Sequence, residues 1–243
     1  MRIGIVSDVH ANLEALEACL GALDARGHDF LACLGDVVGY GAQPNECCAL
    51  IRERADVTIL GNHDAAVCGR MDYGYYRLIA RQALDWHARH VTDENKAWLA
   101  SLPYQHRVGD VAFCHGSPVN FEDFEYIFSQ EQMLELVNAY PAQAPVTFIG
   151  HSHLCRAFGF TATSVTEVLR TRFTLDVDRK YLVTVGSTGQ PRDYDPRACA
   201  ALFDTETRAF EFLRLDYDVE QAAARILATD LSPAFGKRLL LGI

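Results

Sequence analysis

The N-terminal part of the chain alternates short apolar runs with stretches of helical periodicity. The apolar runs at residues 3–6, 30–34 and 57–60 are typical of strands that are covered on both faces. Between them, apolar residues on one helical face predict a helix over residues 13–25. A second helix is predicted over residues 44–52, because the proline that opens it is well tolerated in a first turn. This alternation is typical of an α/β protein.

The middle of the chain predicts a longer helical region and a hairpin. The helical region covers about residues 75–100. Two strands at residues 105–108 and 111–114 are joined by Gly109-Asp110, a dipeptide that favours a hairpin turn. A helix over residues 129–138 and a buried strand over residues 146–149 are predicted to follow.

Beyond His153 the apolar runs follow one another with few helical stretches between them. Strands are predicted at residues 155–160, 164–169, 172–175, 181–185, 198–203 and 209–215, and a last helix at residues 219–228. This half should therefore be largely antiparallel. The whole pattern predicts an α/β fold of four layers, α-β-β-α, with two mixed sheets flanked by helices in a single domain over residues 1–243.

Polar residues with metal-binding side chains cluster just beyond the ends of five predicted strands. The five segments are Ser7-Asp8-Val9-His10, Gly35-Asp36, Gly61-Asn62-His63-Asp64, His115-Gly116 and Gly150-His151-Ser152-His153. Ligands of α/β proteins bind in the crevice at the carboxyl ends of the strands. We therefore expect these segments to converge on one rim of the fold.

The side chains in these segments offer two carboxylates, one amide oxygen and four imidazoles as metal ligands. They belong to Asp8, His10, Asp36, Asn62, His115, His151 and His153. Carboxylate combined with imidazole suits Mn, Fe, Zn, Co or Ni better than Ca or Mg alone. The set contains no thiolate, which disfavours a structural zinc site.

Charge and cysteine usage narrow the class of protein. The formal net charge is −10 and the pI is near 5.3, which disfavours stable binding to nucleic acid. The eight cysteines form no CxxC pair, as expected for reduced core residues of a cytoplasmic protein. The chain enters its first strand without a signal peptide, and no apolar run approaches the ~18 residues that span a bilayer. We expect a cytoplasmic protein with no membrane partner.

The five segments, in this order, resemble the calcineurin-like metallophosphoesterase superfamily. They match its blocks D-x-H, G-D, G-N-H-D, H-G and G-H-x-H. Within the superfamily the chain resembles the small bacterial and archaeal phosphodiesterases, akin to predicted phosphatases related to diadenosine tetraphosphate hydrolases. The segments 35–41, GDVVGYG, and 186–192, GSTGQPR, support this placement.

The resemblance implies two divalent metal ions, of Mn, Fe, Zn, Ni or Co. One ion would be held by Asp8, His10 and His153, and the other by Asn62, His115 and His151. Asp36 would bridge them. A water bridging two cations loses a proton, and the resulting hydroxide would attack phosphorus.

The resemblance also assigns His63 to the substrate phosphate rather than to a metal. His63 would stabilise the transition state or protonate the leaving oxygen. Asp64, the next residue, is the nearest candidate to orient His63.

One departure from the superfamily bears on the substrate. Protein phosphatases of this kind carry an Asp and an Arg just after the G-D dipeptide, where this chain has Gly39 and Tyr40. Arg192 could supply the missing cation. The candidate substrate contacts are Tyr40, Asn45, Asn62, His63, Gln190 and Arg192.

The sequence therefore favours hydrolysis of a phosphodiester or phosphoanhydride bond in a small phosphorylated molecule, a nucleotide. The alternatives are a phosphomonoesterase or protein phosphatase, and a non-catalytic metal-binding scaffold. The departure at Gly39 and Tyr40 disfavours a protein phosphatase, and the intact His63 disfavours a scaffold.

Four features stay open at this level. The tyrosines at 73, 75 and 76 either line the cleft or pack, and the acidic stretch 122–125 is either a lid or a solvated face. Arg192 and Asp193 could form a surface ion pair. The run Leu239-Leu240-Leu241 either forms a homo-oligomer contact or packs onto the core.

Overall fold

A computed structural model describes all residues from 1 to 243. They contain twelve strands and eight α-helices. The strands are β1 Arg2–Val6, β2 Phe30–Cys33, β3 Val57–Thr58, β4 Gln105–Val108, β5 Val111–Cys114, β6 Val146–Ile149, β7 Cys155–Phe160, β8 Val165–Glu167, β9 Arg172–Thr174, β10 Lys180–Val185, β11 Ala198–Asp204 and β12 Ala209–Leu215. The helices are α1 Leu13–Arg26, α2 Pro44–Arg54, α3 Asn62–Val67, α4 Leu78–His90, α5 Asp93–Ser101, α6 Leu134–Asn138, α7 Val219–Leu227 and α8 Pro233–Leu241.

The strands form two mixed sheets of six strands each. The first sheet has the order β3-β2-β1-β11-β12-β9, with β1, β2 and β3 parallel and the other pairs antiparallel. The second has the order β4-β5-β6-β10-β7-β8, with β5, β6 and β10 parallel. Apart from the parallel pair β6–β10, strands beyond His153 pair antiparallel, as predicted.

Three apolar layers hold the sheets and helices together. Strand β2 shows how the alternation of side chains builds two of them, because Leu31 and Cys33 pack under the helices while Ala32 packs between the sheets. The central layer also contains Phe148 of the second sheet, and the outer face of that sheet buries Phe158 against the segment around α6. The predicted four-layer α-β-β-α architecture is therefore confirmed.

Two predicted helices have different bounds in the structure. The helical region at 75–100 is two helices, α4 and α5, because Val91 is extended and the side chain of Thr92 caps the second helix by accepting from the Asn95 amide. The helix predicted at 129–138 shortens to α6, since turns occupy its first residues.

Two helices were not predicted, and both bear on the site. Helix α3 has only six residues and begins at Asn62, so no helical periodicity could mark it. Helix α8 begins with a Ser232 cap followed by Pro233, a start signal that the sequence does carry. Within α8, Leu239 is buried while Leu240 and Leu241 are exposed, so the leucine run packs on the core only in part.

Candidate active site

The five polar segments meet at one rim because the parallel strands of each sheet end on the same side. All seven predicted metal ligands come together there, and none is more than 6% exposed. Five of them have left-handed backbones, at φ values from 47° to 66°, namely Asp8, His10, Asp36, His151 and His153. Such conformations are costly for residues with a Cβ, and they concentrate at functional sites.

The first group of side chains is Asp8, His10 and His153. The Nε2 atom of His153 lies 3.3 Å from the Asp8 Oδ1 atom and 3.0 Å from the His10 Nε2 atom. The Nε2 atom of His10 lies 3.9 Å from the same Asp8 oxygen. Three potential ligand atoms therefore face one point, as the sequence predicted for one metal ion.

The second group contains Asn62, His115 and His151. The His115 Nε2 atom lies 3.1 Å from Asn62 Oδ1, and the His115 and His151 rings have centroids 5.0 Å apart. The Asp36 Oδ2 atom lies 3.4 Å from His115 Nε2 and 3.6 Å from His10 Nε2. One carboxylate oxygen thus faces both groups, which is the placement expected of a bridging ligand.

Three of the candidate ligand histidines turn their Nε2 atoms to the centre, and their Nδ1 atoms, on the other side of the ring, contact backbone carbonyls. The His10 Nδ1 atom lies 3.1 Å from the Val38 carbonyl, and the His115 Nδ1 atom lies 2.7 Å from that of Leu34. The His153 Nδ1 atom lies 2.5 Å from the Gln190 carbonyl. Because a carbonyl only accepts, each Nδ1 donates, and any of these rings that is neutral turns its Nε2 lone pair to the centre.

This arrangement fits bound metal ions. The Nε2 atoms of His10 and His153 lie 3.0 Å apart, and two lone pairs at that distance repel each other unless a cation lies between or beside them. Burial opposes ionisation of Asp36, but the charges of His115 and His63 hold the pKa of the carboxyl well below its ordinary range. Ionised carboxylates and neutral imidazoles are the forms that bind metals.

One histidine of the centre is charged when no metal balances the carboxylates. Burial alone would lower the pKa of His115, but the Asp36 and Asp8 carboxylates raise it to about 9. A metal ion in the second group would take over this role of compensating the buried negative charge.

His63 lies beside the first group. Its backbone N–H donates to Asp36 Oδ1 at 2.8 Å, and its ring centroid lies 4.9 Å from that of His10. Burial is the largest cause that lowers the pKa of His63, to about 4, so the ring is neutral near pH 7. One nitrogen each of His10 and His63 and one oxygen of Asp36 also lie within 4.8 Å of one another, so these three side chains form a third group that could hold a metal ion.

Gly39 closes one side of the His63 ring. A Cβ at position 39 would lie 2.5 Å from the His63 Nδ1 atom, and the Gly39 φ of +106° also excludes other residues. The buried Nδ1 atom has no hydrogen-bond partner. The carboxylate that the protein phosphatases carry at this place therefore has no counterpart here, and His63 is among the residues that line the cleft.

Asp64 does not take the predicted role of orienting His63. Its carboxylate accepts from the backbone N–H of Val38 at 3.1 Å and from that of Gly61 at 3.2 Å. Neighbouring residues on a helix point in different directions, and α3 turns the two side chains apart. Asp64 instead ties the N-terminus of α3 to the segment that follows β2.

Replacing Asp64 with alanine should lower the free energy of unfolding. Each buried backbone donor left without a partner costs about 1–3 kcal/mol, and Asp64 serves two of them. Chemical denaturation measures the loss, with Glu53→Ala on an exposed face as the control, expected within about 0.5 kcal/mol of the unsubstituted protein. Equal stability of the two variants would contradict this structural role.

A cleft of about 700 Å³ opens above the metal ligands. Its lining includes Tyr40, Asn62, His63, Tyr75, Tyr76, Arg77, Asp123, Glu125, Tyr126, His151, Arg192, Phe235 and Arg238. Tyr126 stacks on the His151 ring, with centroids 3.8 Å apart and planes inclined by 18°. The Tyr76 hydroxyl accepts from Asn62 Nδ2 at 2.9 Å, which turns the amide oxygen of Asn62 toward the centre.

The structure separates the predicted substrate contacts. Tyr40 and Arg192 line the cleft, with the Arg192 guanidinium carbon 5.7 Å from the centre of the Tyr40 ring. Gln190 is buried and accepts from Arg192, so it supports a contact rather than making one. Asn45 is a wrong prediction, since its side chain donates to the His90 carbonyl and accepts from the Thr92 amide, joining α2 to the α4–α5 connection.

The open features also find their places. Tyr75 and Tyr76 line the cleft, whereas Tyr73 packs against the core beside the first sheet. The acidic stretch 122–125 is not wholly solvated, because Phe124 is buried and its two neighbours line the cleft. Asp193 pairs with Arg214 and not with Arg192.

Several residues at the site lie outside the polar segments that the sequence marked, and three of them were not singled out as site candidates by any pattern. Tyr126 and Arg238 line the cleft, and buried His87 accepts from the Gly39 amide at 3.3 Å. The sequence could have indicated Arg238 only through a prediction of helix α8, which begins with a Ser232 cap followed by Pro233. His87 and Tyr126 carry no signal, since neither follows a strand or stands in a metal-binding pattern.

Comparison with known proteins identifies the family. The sequence profile of the calcineurin-like phosphoesterase superfamily domain matches residues 1–208. A protein of Methanocaldococcus jannaschii is 36% identical over 246 residues, which span 99% of this chain and 98% of that protein. The crystal structure of a metallophosphoesterase from Sphaerobacter thermophilus is 35% identical, with a TM-score of 0.84 over 100% of this chain and 99% of that one. A hypothetical protein from Pyrococcus horikoshii shares the fold, at 18% identity and a TM-score of 0.78, over 100% of this chain and 98% of that one.

This chain belongs to the calcineurin-like phosphoesterase superfamily. With its buried groups of histidine and aspartate, it is a metal-dependent phosphoesterase, a hydrolase. The predicted superfamily and enzyme class are thus confirmed. None of the helices has the length and apolar character needed to cross a membrane.

Proposed function

We propose that the protein uses two divalent metal ions to hydrolyse a phosphodiester or phosphoanhydride bond in a small nucleotide. The observation that carries the two-metal part is the position of Asp36, whose Oδ2 atom lies within 3.6 Å of a histidine nitrogen from each group. The ligand set of carboxylate, amide and imidazole suits Mn, Fe, Zn, Co or Ni.

The protein's own residues prepare the site for an anionic substrate. Two bound ions supply the positive charge and the acidified water that hydrolysis of a phosphoester requires. His63 lies at the floor of the cleft as a neutral imidazole, and it can donate a hydrogen bond to a phosphoryl or leaving oxygen. Arg192 adds a fixed positive charge on the neighbouring wall.

The shape of the cleft favours a small molecule with an aromatic group. Tyr75 and Tyr126 line it and are 75% and 45% exposed. One face of the Tyr126 ring lies on His151, and the exposed ring surface that remains on both tyrosines can stack on a base. A volume of about 700 Å³ falls within the range of small-molecule sites. Gly39 and Tyr40 stand where the protein phosphatases carry their Asp and Arg, which argues against a phosphoprotein substrate.

Hydrolysis of bis-p-nitrophenyl phosphate and of p-nitrophenyl phosphate tests the proposal. The metal-stripped protein should be inactive, and Mn²⁺, Co²⁺, Ni²⁺ or Zn²⁺ should restore cleavage of the diester. Cleavage of the monoester alone would replace the diesterase with a phosphomonoesterase. If neither compound nor any natural nucleotide is cleaved with any of these metals, the proposed activity is wrong.

A further inference from the structure

Asn62 is the one amide among the candidate metal ligands, and only one end of an amide can bind a cation. The Oδ1 atom carries lone pairs, whereas the Nδ2 group has only hydrogens to donate. The two ends have nearly the same size, so a half-turn of the amide would point hydrogens at the ion. The second group therefore needs a contact that keeps the oxygen toward the centre.

The structure provides one such contact. The Asn62 Nδ2 atom donates to the Tyr76 hydroxyl at 2.9 Å, while the Oδ1 atom lies 3.1 Å from His115 Nε2. The side chain of Asn62 has no further hydrogen-bond partner in the chain. Because Asn62 is only 3% exposed, its Nδ2 group would be a buried donor without a partner if the hydroxyl were absent.

Tyr76 is held by contacts that do not involve Asn62. Its backbone N–H donates to the Tyr73 carbonyl at 3.0 Å, and its ring meets the Tyr75 ring edge to face, with centroids 4.9 Å apart. Tyr76 also packs against the apolar layer between the first sheet and its helices. Since the segment between α3 and α4 holds the hydroxyl independently, Tyr76 can position the amide.

We propose that Tyr76 is a positioning residue for the metal ion of the second group. Its hydroxyl accepts from the Nδ2 atom of Asn62 and so keeps the Oδ1 atom on the ion. A hydroxyl can donate or accept, but an amide whose oxygen holds a cation leaves only the accepting role to the hydroxyl. This inference rests on the proposed two-metal centre, and it adds a residue from outside the five polar segments.

Replacing Tyr76 with phenylalanine tests this role through the loss of a single hydroxyl group. The aromatic ring stays, whereas the Asn62 amide loses its acceptor. Removing a group that holds a metal ligand typically weakens metal binding by about 10- to 100-fold. Calorimetric titration of the metal-stripped variant with Mn²⁺ should therefore show this increase in Kd for the ion of the second group. The ion of the first group should keep a Kd close to that in the unsubstituted protein.

Tyr75→Phe is the matched control for this variant. Tyr75 is exposed, and its hydroxyl has one hydrogen-bond partner, the Met71 Sδ atom at 4.0 Å. Because that hydroxyl contacts no candidate metal ligand, neither Kd should change. Circular dichroism of each variant checks that the chain is folded before it is titrated.

A second background separates the orientation of the amide from other effects of the hydroxyl. Asn62→Asp replaces the amide with a carboxylate, whose two oxygens can both bind a cation, so no orientation has to be fixed. Adding Tyr76→Phe to this variant should leave the Kd of the second-group ion within about twofold of its value in Asn62→Asp alone. An equal loss of affinity in both backgrounds would contradict the positioning role.

The outcomes separate this role from the proposed activity. If Tyr76→Phe binds both ions as tightly as the unsubstituted protein does, the positioning role is wrong, while the diesterase assay can still succeed. If the unsubstituted protein binds one ion and Tyr76→Phe weakens it, the two-metal centre fails and the positioning role stands. If the Kd values change as expected but no phosphoester is cleaved, only the hydrolase proposal fails.

Discussion

Replacing Asp36 with asparagine should remove most of the bound metal and lower kcat by about 10³-fold, the equivalent of about 4 kcal/mol. Asparagine keeps the shape of the side chain and can still accept from the His63 amide. It loses the negative charge and the Oδ2 oxygen that faces both groups of ligands. Elemental analysis of the purified variant and diester hydrolysis with added metal measure the two effects.

The control for this variant is Asp110→Asn, which removes an exposed carboxylate from the hairpin between β4 and β5. It should keep both the metal content and the turnover of the unsubstituted protein. Full metal content in Asp36→Asn would contradict the bridging role, whatever its activity.

Replacing His63 with alanine should lower kcat by about 10²- to 10⁴-fold while the metal content stays the same. The ring borders the cleft, and its pKa of about 4 keeps it neutral near pH 7. Its backbone, not its side chain, holds Asp36, and alanine keeps that N–H. Turnover of the diester and elemental analysis are measured on the same preparation.

The metal content decides between two roles for His63. A nitrogen of its side chain also lies within 4.8 Å of potential ligand atoms of His10 and Asp36. If His63 bound a metal ion, the alanine variant would lose metal and activity together. Parallel loss of both would therefore contradict the substrate-facing role. His106→Ala, in the exposed edge strand β4, is the control and should change neither quantity.

The convergence of the candidate metal ligands could be predicted because the sequence places them where strand ends meet. Asp8 follows β1 and Asp36 follows β2, and these strands are parallel neighbours in the first sheet. His115 and His151 follow β5 and β6, which are parallel neighbours in the second. Short apolar runs mark the strands, and parallel strands end on the same side of a sheet, so local patterns were sufficient here.

The roles of Asp64 and Asn45 could not be predicted, because they depend on directions that local patterns do not fix. Helix α3 is too short to show periodicity, and its turn sends the Asp64 carboxylate to the backbone rather than to His63. Asn45 stands in a first helical turn, and only the packing of α2 against α5 shows what it contacts.

The cleft walls required the tertiary structure for a different reason. Tyr126 comes from a loop and Arg238 from helix α8, and both line the cleft although they are distant in sequence from the candidate metal ligands. No spacing or periodicity relates them to the metal ligands. Substrate preference therefore depends on the residues that the sequence reveals least.

The most direct test of the two-metal account is the number of ions that each chain binds. Calorimetric titration of the metal-stripped protein with Mn²⁺, checked by elemental analysis after gel filtration, should give two ions per chain, and diester hydrolysis should appear as the second site fills. A single ion per chain with full diester activity would contradict the bridged centre around Asp36.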